Sequence, residues 1–295
     1  MDATNRRTPV WLRITIWILA VGLMFSSVVY QRLTGPTHPK RGSFESGGTT
    51  HSYRLIRSEN TTAPAQVRVP AAVGVNEATV QWRRYPTADP LDSIPMTRDG
   101  EVFVADLPIQ PAAGKLEYRV ELRTADGAIG LPAADETVVL RYKDPVPTSV
   151  LLPHIVLMFL AVLFGIRTGL TALLARSGMR WSAWTTLGAM TVGGLVLGPI
   201  VQNHAFGAYW TGWPFGGDLT DNKVAFMWIA WVIACTTIGF KPLKREIVAR
   251  VVVIAATIIM TGVYLIPHSM RGSELDYAKV DAGHDPTQAI GTSAE

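Results

Sequence analysis

Apolar residues follow two different rhythms along this chain. Near the start and over the second half they run on without interruption, whereas between about residues 50 and 146 they alternate with polar ones. A hydrocarbon layer about 30 Å thick takes roughly 20 apolar residues of helix to cross. Five stretches have that length or nearly so: about 10–30, Val150 to about Ala175, and about 182–202, 224–240 and 248–266. They predict five membrane-spanning helices. In the middle stretch, Leu116, Tyr118, Val120 and Leu122 alternate with Glu117, Arg119, Glu121 and Arg123, as in a strand with one buried and one wet face. Val80 with Trp82, and Val138 with Leu140 and Tyr142, repeat the pattern. Asp99-Gly100 predicts a hairpin turn and Asp126-Gly127 marks another. About seven strands in roughly 95 residues predict two antiparallel sheets packed face to face.

The predicted fold class is therefore a membrane α-helical bundle joined to an all-β, immunoglobulin-like sandwich. Residues 1–31 form an N-terminal transmembrane anchor and 32–50, rich in Gly, Pro, Ser and Thr, a flexible linker. Residues 51–146 form the extracytoplasmic sandwich, and 147–270 a four-helix transmembrane bundle with an outer loop at 204–222. The polar segment 271–295 is expected to lack a fixed fold. The first apolar run also admits reading as a cleaved signal peptide, but its length and the lack of a small-x-small site favour an uncleaved anchor.

Charge sets the direction. Arg6, Arg7 and Arg13 precede or open the first run, Arg167, Arg176 and Arg180 lie around the second and third, and Lys241, Lys244, Arg245 and Arg250 join the fourth and fifth. The loop from His204 to Asn222 has neither Lys nor Arg. The positive-inside rule then puts the N-terminus in the cytoplasm of a bacterial-type inner membrane, with the sandwich, that loop and the C-terminus outside. Arg167 either snorkels to the inner interface, the favoured reading, or faces a cavity. Gly194 and Gly198 form a GxxxG pair that suits packing within the chain's own bundle better than a dimer face. Pro199 is expected to bend or end its helix.

The net charge of +4 over 295 residues changes little, because the basic residues sit at the ends of apolar runs. No basic stripe, finger or recognition helix appears, which excludes nucleic acid as a partner. Cys235 stands alone within an apolar run and reads as a small hydrophobe. In the sandwich, Trp82 is expected to fill the core, and Arg83 and Arg84 to face solvent or an acidic partner.

Candidate chemistry concentrates in the outer loop. Phe206, Tyr209, Trp210, Trp213 and Phe215 crowd it, and Gly207, Gly212, Gly216 and Gly217 permit tight turns. Thr220 or Asp221 is placed to cap the next helix. Interfacial anchoring explains several aromatics; it explains less well the glycines and the two aspartates. In the predicted topology His154, His204 and His268 all lie on the outer rim, and imidazole is a common haem and metal ligand. Each histidine equally suits an interfacial role. Asp218 and Asp221 are candidate further metal ligands or proton acceptors. HExxH, paired CxxC, P-loop and dinucleotide motifs are not evident, so no catalytic residue is assigned.

Two resemblances add to this. The run PMTRDGEVFVADLPIQPAAGKLEYRVELRTADG resembles bacterial fibronectin type III or immunoglobulin-like modules in its DG hairpin, its LP turn and its Tyr118-centred strand. That covers about a third of the chain and implies a fold rather than an activity. The loop, through Trp210, Trp213, Asp218 and neighbouring His204, looks like the Trp-rich, histidine-flanked outer loop of cytochrome c assembly proteins that handle haem. YWTGWPFGGD departs from that family's spacing, roughly WGxxWxWD, and the family has more helices. The resemblance implies haem handling; with the outer-rim topology, haem or a transition metal would be held by His154, His204 and His268, with Trp210 and Trp213 as the wall.

The function expected from the sequence is an accessory or scaffolding inner-membrane protein. It would present a β-sandwich outside the bilayer to other membrane or periplasmic proteins. The alternative is a haem- or metal-binding membrane protein for electron transfer or cofactor handling. A transporter or membrane hydrolase ranks last, with no internal repeat and no acidic residue within a span.

Overall fold

The computed structural model of the protein describes residues 8–133, 136–175, 178–241, 246–267 and 272–291. The chain divides into a helical unit (Met1–Gly35, Val146–Asn203, Tyr209–Gly272) and a β unit (Pro36–Pro145, His204–Ala208, Ser273–Glu295).

Helix α1 (Val10–Thr34) opens the helical unit, and the β unit begins with a hairpin of β1 (Lys40–Ser46) and β2 (Thr49–Leu55). Gly47 and Gly48 join these strands at φ +58° and +74°, the left-handed pair a tight hairpin turn requires. Phe44, Tyr53 and Leu55 point inward. The stretch expected as a linker at 32–50 is thus corrected: only residues 35–39 separate α1 from β1. Gly47 and Gly48 form a turn and Ser43, Phe44 and Ser46 lie in a strand, a distinction composition does not carry.

The strands that follow are β3 (Ser58–Asn60), β4 (Ala65–Pro70), β5 (Val75–Arg84), β6 (Asp92–Pro95), β7 (Thr97–Asp99), β8 (Val102–Leu107), β9 (Lys115–Thr124), β10 (Gly127–Leu131) and β11 (Val138–Lys143). One sheet runs β3-β11-β9-β5-β6, with β10 also paired to β9, and a second runs β4-β8-β7. All their pairings are antiparallel except β3 with β11. Val67, Val69, Phe103 and Leu107 of one sheet share a core with Val80, Leu116, Tyr118, Val120, Leu122 and Leu140 of the other. Tyr142 on β11 bonds across that core, its hydroxyl accepting the Ala65 N–H at 3.1 Å. Several sheets around one core are compatible with a β-sandwich. The predicted Asp99-Gly100 hairpin joins β7 to β8. Trp82 is half-buried against the core.

The alternation in β9 holds for its inward residues, but Lys115 and Glu117 are buried as well. Glu117 pairs with Arg83 and accepts the Thr137 hydroxyl at 3.1 Å, while Lys115 pairs with Glu274. Arg84 pairs with Asp89 at 2.6 Å and Asp281 at 2.7 Å, so the acidic partners of both arginines lie within this unit.

The helical unit continues with α2 (Thr148–Leu174), α3 (Met179–Met190), α4 (Gly198–Phe206), α5 (Leu219–Ile238) and α6 (Glu246–Leu265). Among the described residues, four helices are long and apolar enough to cross a membrane: α1, α2, the continuous Met179–Phe206 and α6. The fourth expected run is helical as α5 but does not reach that standard, because its first turns carry Asp221, Asn222 and Lys223. A π-helical segment, Thr191–Leu197, joins α3 to α4. Pro199 therefore does not end the helix. The wider π turn just before it accommodates a residue with no N–H and a ring that would crowd the preceding carbonyl of a regular α-helix. Gly193 and Gly194 pack inside the unit: a Cβ would lie 2.8 Å from Leu157 on α2 and from Val224 on α5, respectively. A second GxxxG pair, Gly165 and Gly169 on α2, lets α6 approach at Met260 and Thr257.

After α6, β12 (Glu274–Leu275) pairs with β13 (Ile290–Gly291) around α7 (Tyr277–Asp281). Leu275, Tyr277 and Ala289 make a small core of their own. The expectation that 271–295 lacks a fixed fold is corrected for residues 272–291. Tyr277 is buried, its hydroxyl accepting the Lys115 N–H at 3.0 Å, and Arg141 donates to the Ser273 carbonyl at 2.5 Å. A polar segment is ordered here by long-range partners, not by an apolar period of its own.

Candidate functional site

Asp218 begins the site by capping α5, accepting the Thr220 N–H at 2.7 Å, the role the sequence assigned to Thr220 or Asp221. Its other oxygen accepts the Thr211 hydroxyl at 3.0 Å, and that hydroxyl accepts from Gln202 at 2.8 Å. Asp221 lies in the first turn of α5 and reaches back into the loop, where one oxygen accepts the N–H groups of Thr211 at 2.7 Å and Gly212 at 2.9 Å. Asn222 accepts the Trp213 N–H at 2.6 Å. Gly212 sits so close to Asp221 that a Cβ would come within 2.5 Å of its Cβ. Lys223, also buried, donates to the Ile266 carbonyl. Burial pushes the Asp221 carboxyl up to about 6; the nearby Asp218 charge adds to this, and the N–H groups of Thr211 and Gly212 oppose it.

The loop is thus built inside out. Thr211, Gly212, Asp218 and Asp221 are buried, while Tyr209, Trp213 and Phe215 are 61%, 76% and 83% exposed. Trp210 is half-buried and its indole donates to the Trp213 carbonyl at 3.1 Å. Such a polar frame fixes three aromatic side chains in the open, which suits a boundary between apolar and wet surroundings.

The structure directs both carboxylates to the loop's own N–H and O–H groups. Among the described residues, no three His, Cys, Asp or Glu side chains gather in a group able to hold a metal ion. His154 lies on α2, where Nδ1 meets the Gly193 carbonyl at 2.8 Å. A carbonyl only accepts, so Nδ1 carries the proton and, in the neutral ring, Nε2 keeps its lone pair. Gly193 also takes the Gly198 N–H, which ties His154 to the π turn. His204 is exposed on the last turn of α4, in the β unit, where Ala205 accepts the Asp144 N–H at 2.9 Å and Phe206 lies 4.1 Å beneath the Arg141 guanidinium. His268 lies outside the described residues. Gln202 and Asn222 were not foreseen. The available signal was the polar triplet Asp221-Asn222-Lys223 at the head of an apolar helix.

No protein-family model matches the chain, and no curated protein does. Among solved structures, an engineered protein is similar over 37% of this chain and 21% of its own length, at 17% identity and a TM-score of 0.24. A likeness that shallow carries no argument about fold or activity.

Proposed function

We propose that this chain is an accessory inner-membrane protein whose helical unit anchors an immunoglobulin- or fibronectin-like sandwich outside the bilayer for docking of a protein partner. The observation that carries this is the connectivity. The chain passes between the helical and β units at 35/36, 145/146, 203/204, 208/209 and 272/273. In an up-down bundle, the C-terminal ends of α1, α4 and α6 and the N-terminal end of α2 all fall on one side. Each of those ends leads into the β unit. The opposite ends carry Arg13, Arg180, Lys241 and Arg250, so the positive-inside rule assigns them to the cytoplasm and the β unit to the outside. The strand order β3-β11-β9-β5-β6 against β4-β8-β7, with β3 parallel to β11, supports the immunoglobulin-like reading.

A cofactor role has one observation in its favour: the anchored ring of His154 leaves Nε2 available as a ligand. The test covers both readings. A photo-crosslinking side chain placed at Asp92 or Thr97, on exposed edge strands of the two sheets, is expected to capture one stoichiometric membrane or periplasmic protein in intact cells. A chain purified gently as a lone monomer with a Soret band that His154→Ala abolishes would replace the docking reading with the cofactor one.

A further inference from the structure

Among the described residues, Arg167 has no counterpart: its Nε and Nη1 atoms are buried and meet no acceptor there. Its guanidinium lies 4.6 Å from the centroid of the Trp17 ring on α1, a contact that offers attraction but no lone pair in the ring plane. The charge that acts on it among the described residues is again positive, Arg13. Among the described residues no carboxylate forms an ion pair with it, whereas Arg180 pairs with Glu246 at 2.6 Å and Arg250 donates to the Ala172 carbonyl at 2.7 Å. Guanidinium cannot shed its proton, and a buried charged donor left unmet is strongly unfavourable. None of the described residues supplies the acceptor, and an anion from outside would answer both the charge and the planar fork.

Position narrows the choice. Arg167 stands 19 residues beyond Thr148 at the start of α2, roughly 28 Å along the axis at 1.5 Å per residue, near the far edge of a hydrocarbon layer about 30 Å thick. Arg13 is in the first turn of α1, the antiparallel neighbour. Phe164 packs edge-on against both Trp17 and the exposed Trp181, with centroids 5.7 and 5.4 Å apart, an aromatic collar of the kind found at headgroup level. We propose that Arg167, Arg13 and Trp17 form a site for the phosphate of an anionic phospholipid, whose acyl chains lie along the apolar face beside it. This rests on reading α1 and α2 as membrane spans. Alkaline carbonate extraction tests that reading separately, since release of the chain from membranes overturns the spans themselves.

The site is tested by native mass spectrometry of the full chain in mild detergent. Phosphatidylglycerol, phosphatidylcholine and inorganic phosphate serve as probes. Wild type is expected to retain phosphatidylglycerol about tenfold more strongly than phosphatidylcholine, and inorganic phosphate is expected not to displace it. Arg167→Gln should abolish the preference. Arg13→Gln, at an exposed first turn that leaves the bundle intact, should weaken it several-fold. Equal retention of the two lipids by wild type overturns the proposal, as does undiminished preference in a folded Arg167→Gln or Arg13→Gln chain. Displacement by inorganic phosphate assigns the site to a soluble anion and overturns the lipid.

Discussion

Arg84 holds Asp281 through two parallel bonds, Nη1 to Oδ1 at 2.7 Å and Nη2 to Oδ2 at 2.9 Å, although 197 positions separate them. Asp89 takes the other edge of the same guanidinium at 2.6 Å. The fork fixes the end of α7, and Arg84 holds the Asp281 carboxyl below its ordinary range. A lowered carboxylate contributes fully above its unfolded pKa and is lost as pH falls through the lowered value. Asp281→Ala is expected to speed tryptic cleavage after Lys279 several-fold at pH 7.5, read by mass spectrometry. For wild type, protection should persist at pH 5 and fail only in stronger acid. Unchanged cleavage in the variant would mean that the fork does not secure the tail.

Tyr277→Phe keeps the ring in its small core but leaves the Lys115 N–H without its acceptor. The expected loss is about 1–3 kcal/mol of local stability. Hydrogen exchange on the full chain should show faster exchange at the start of β9 and in 273–281, with α2 and α6 unaffected.

Asp221 gives a pH dependence of opposite sign to Asp281. Its carboxyl is raised to about 6 in the fold, so its contribution is fully present below the unfolded value and lost as pH rises through about 6. The size is on the order of 1–3 kcal/mol. Asp221→Asn keeps an oxygen for the N–H groups of Thr211 and Gly212 and does not titrate. The difference in thermal midpoint, variant minus wild type, should therefore grow between pH 4 and 6.5 and level off above. A constant difference would place the group at its ordinary pKa.

Gly169→Ala should destabilise the solubilised chain more than Gly165→Ala. At Gly169 a Cβ lies 2.6 Å from Cγ2 and Oγ1 of Thr257. That side chain is stiff at χ1, and its hydroxyl bonds the carbonyls of Val253 and Gly165. At Gly165 the added atom meets the flexible end of Met260 at 2.5 Å. A drop of about 1–3 kcal/mol is expected for Gly169→Ala, measured as a melting shift in detergent. The reverse order would contradict the packing described.

The sequence was most readable where one local period governed burial. Leu116, Tyr118, Val120 and Leu122 turned inward as read, and the long apolar runs became helices. It was least readable where order comes from distant partners. Tyr277 and Asp281 sit in a polar tail whose anchors, Lys115 and Arg84, lie more than 150 positions earlier. Gly47-Gly48 reads as linker because turn and linker share a composition. Gly165 and Gly169 do not read as a packing pair because Arg167 stands between them, and the π turn before Pro199 leaves no mark that residue types reveal. In the loop, the aromatics and aspartates stood out, but which of them face inward depends on backbone bonds that no motif encodes.

Sidedness is the claim on which the rest depends. Cys235 is buried and Phe215 and Lys241 are exposed, so single cysteines at the latter two positions report opposite faces. In intact cells, a membrane-impermeant maleimide should label Phe215→Cys and should reach Lys241→Cys only after lysis. Labelling of Lys241→Cys from outside, with Phe215→Cys protected until lysis, would contradict the account.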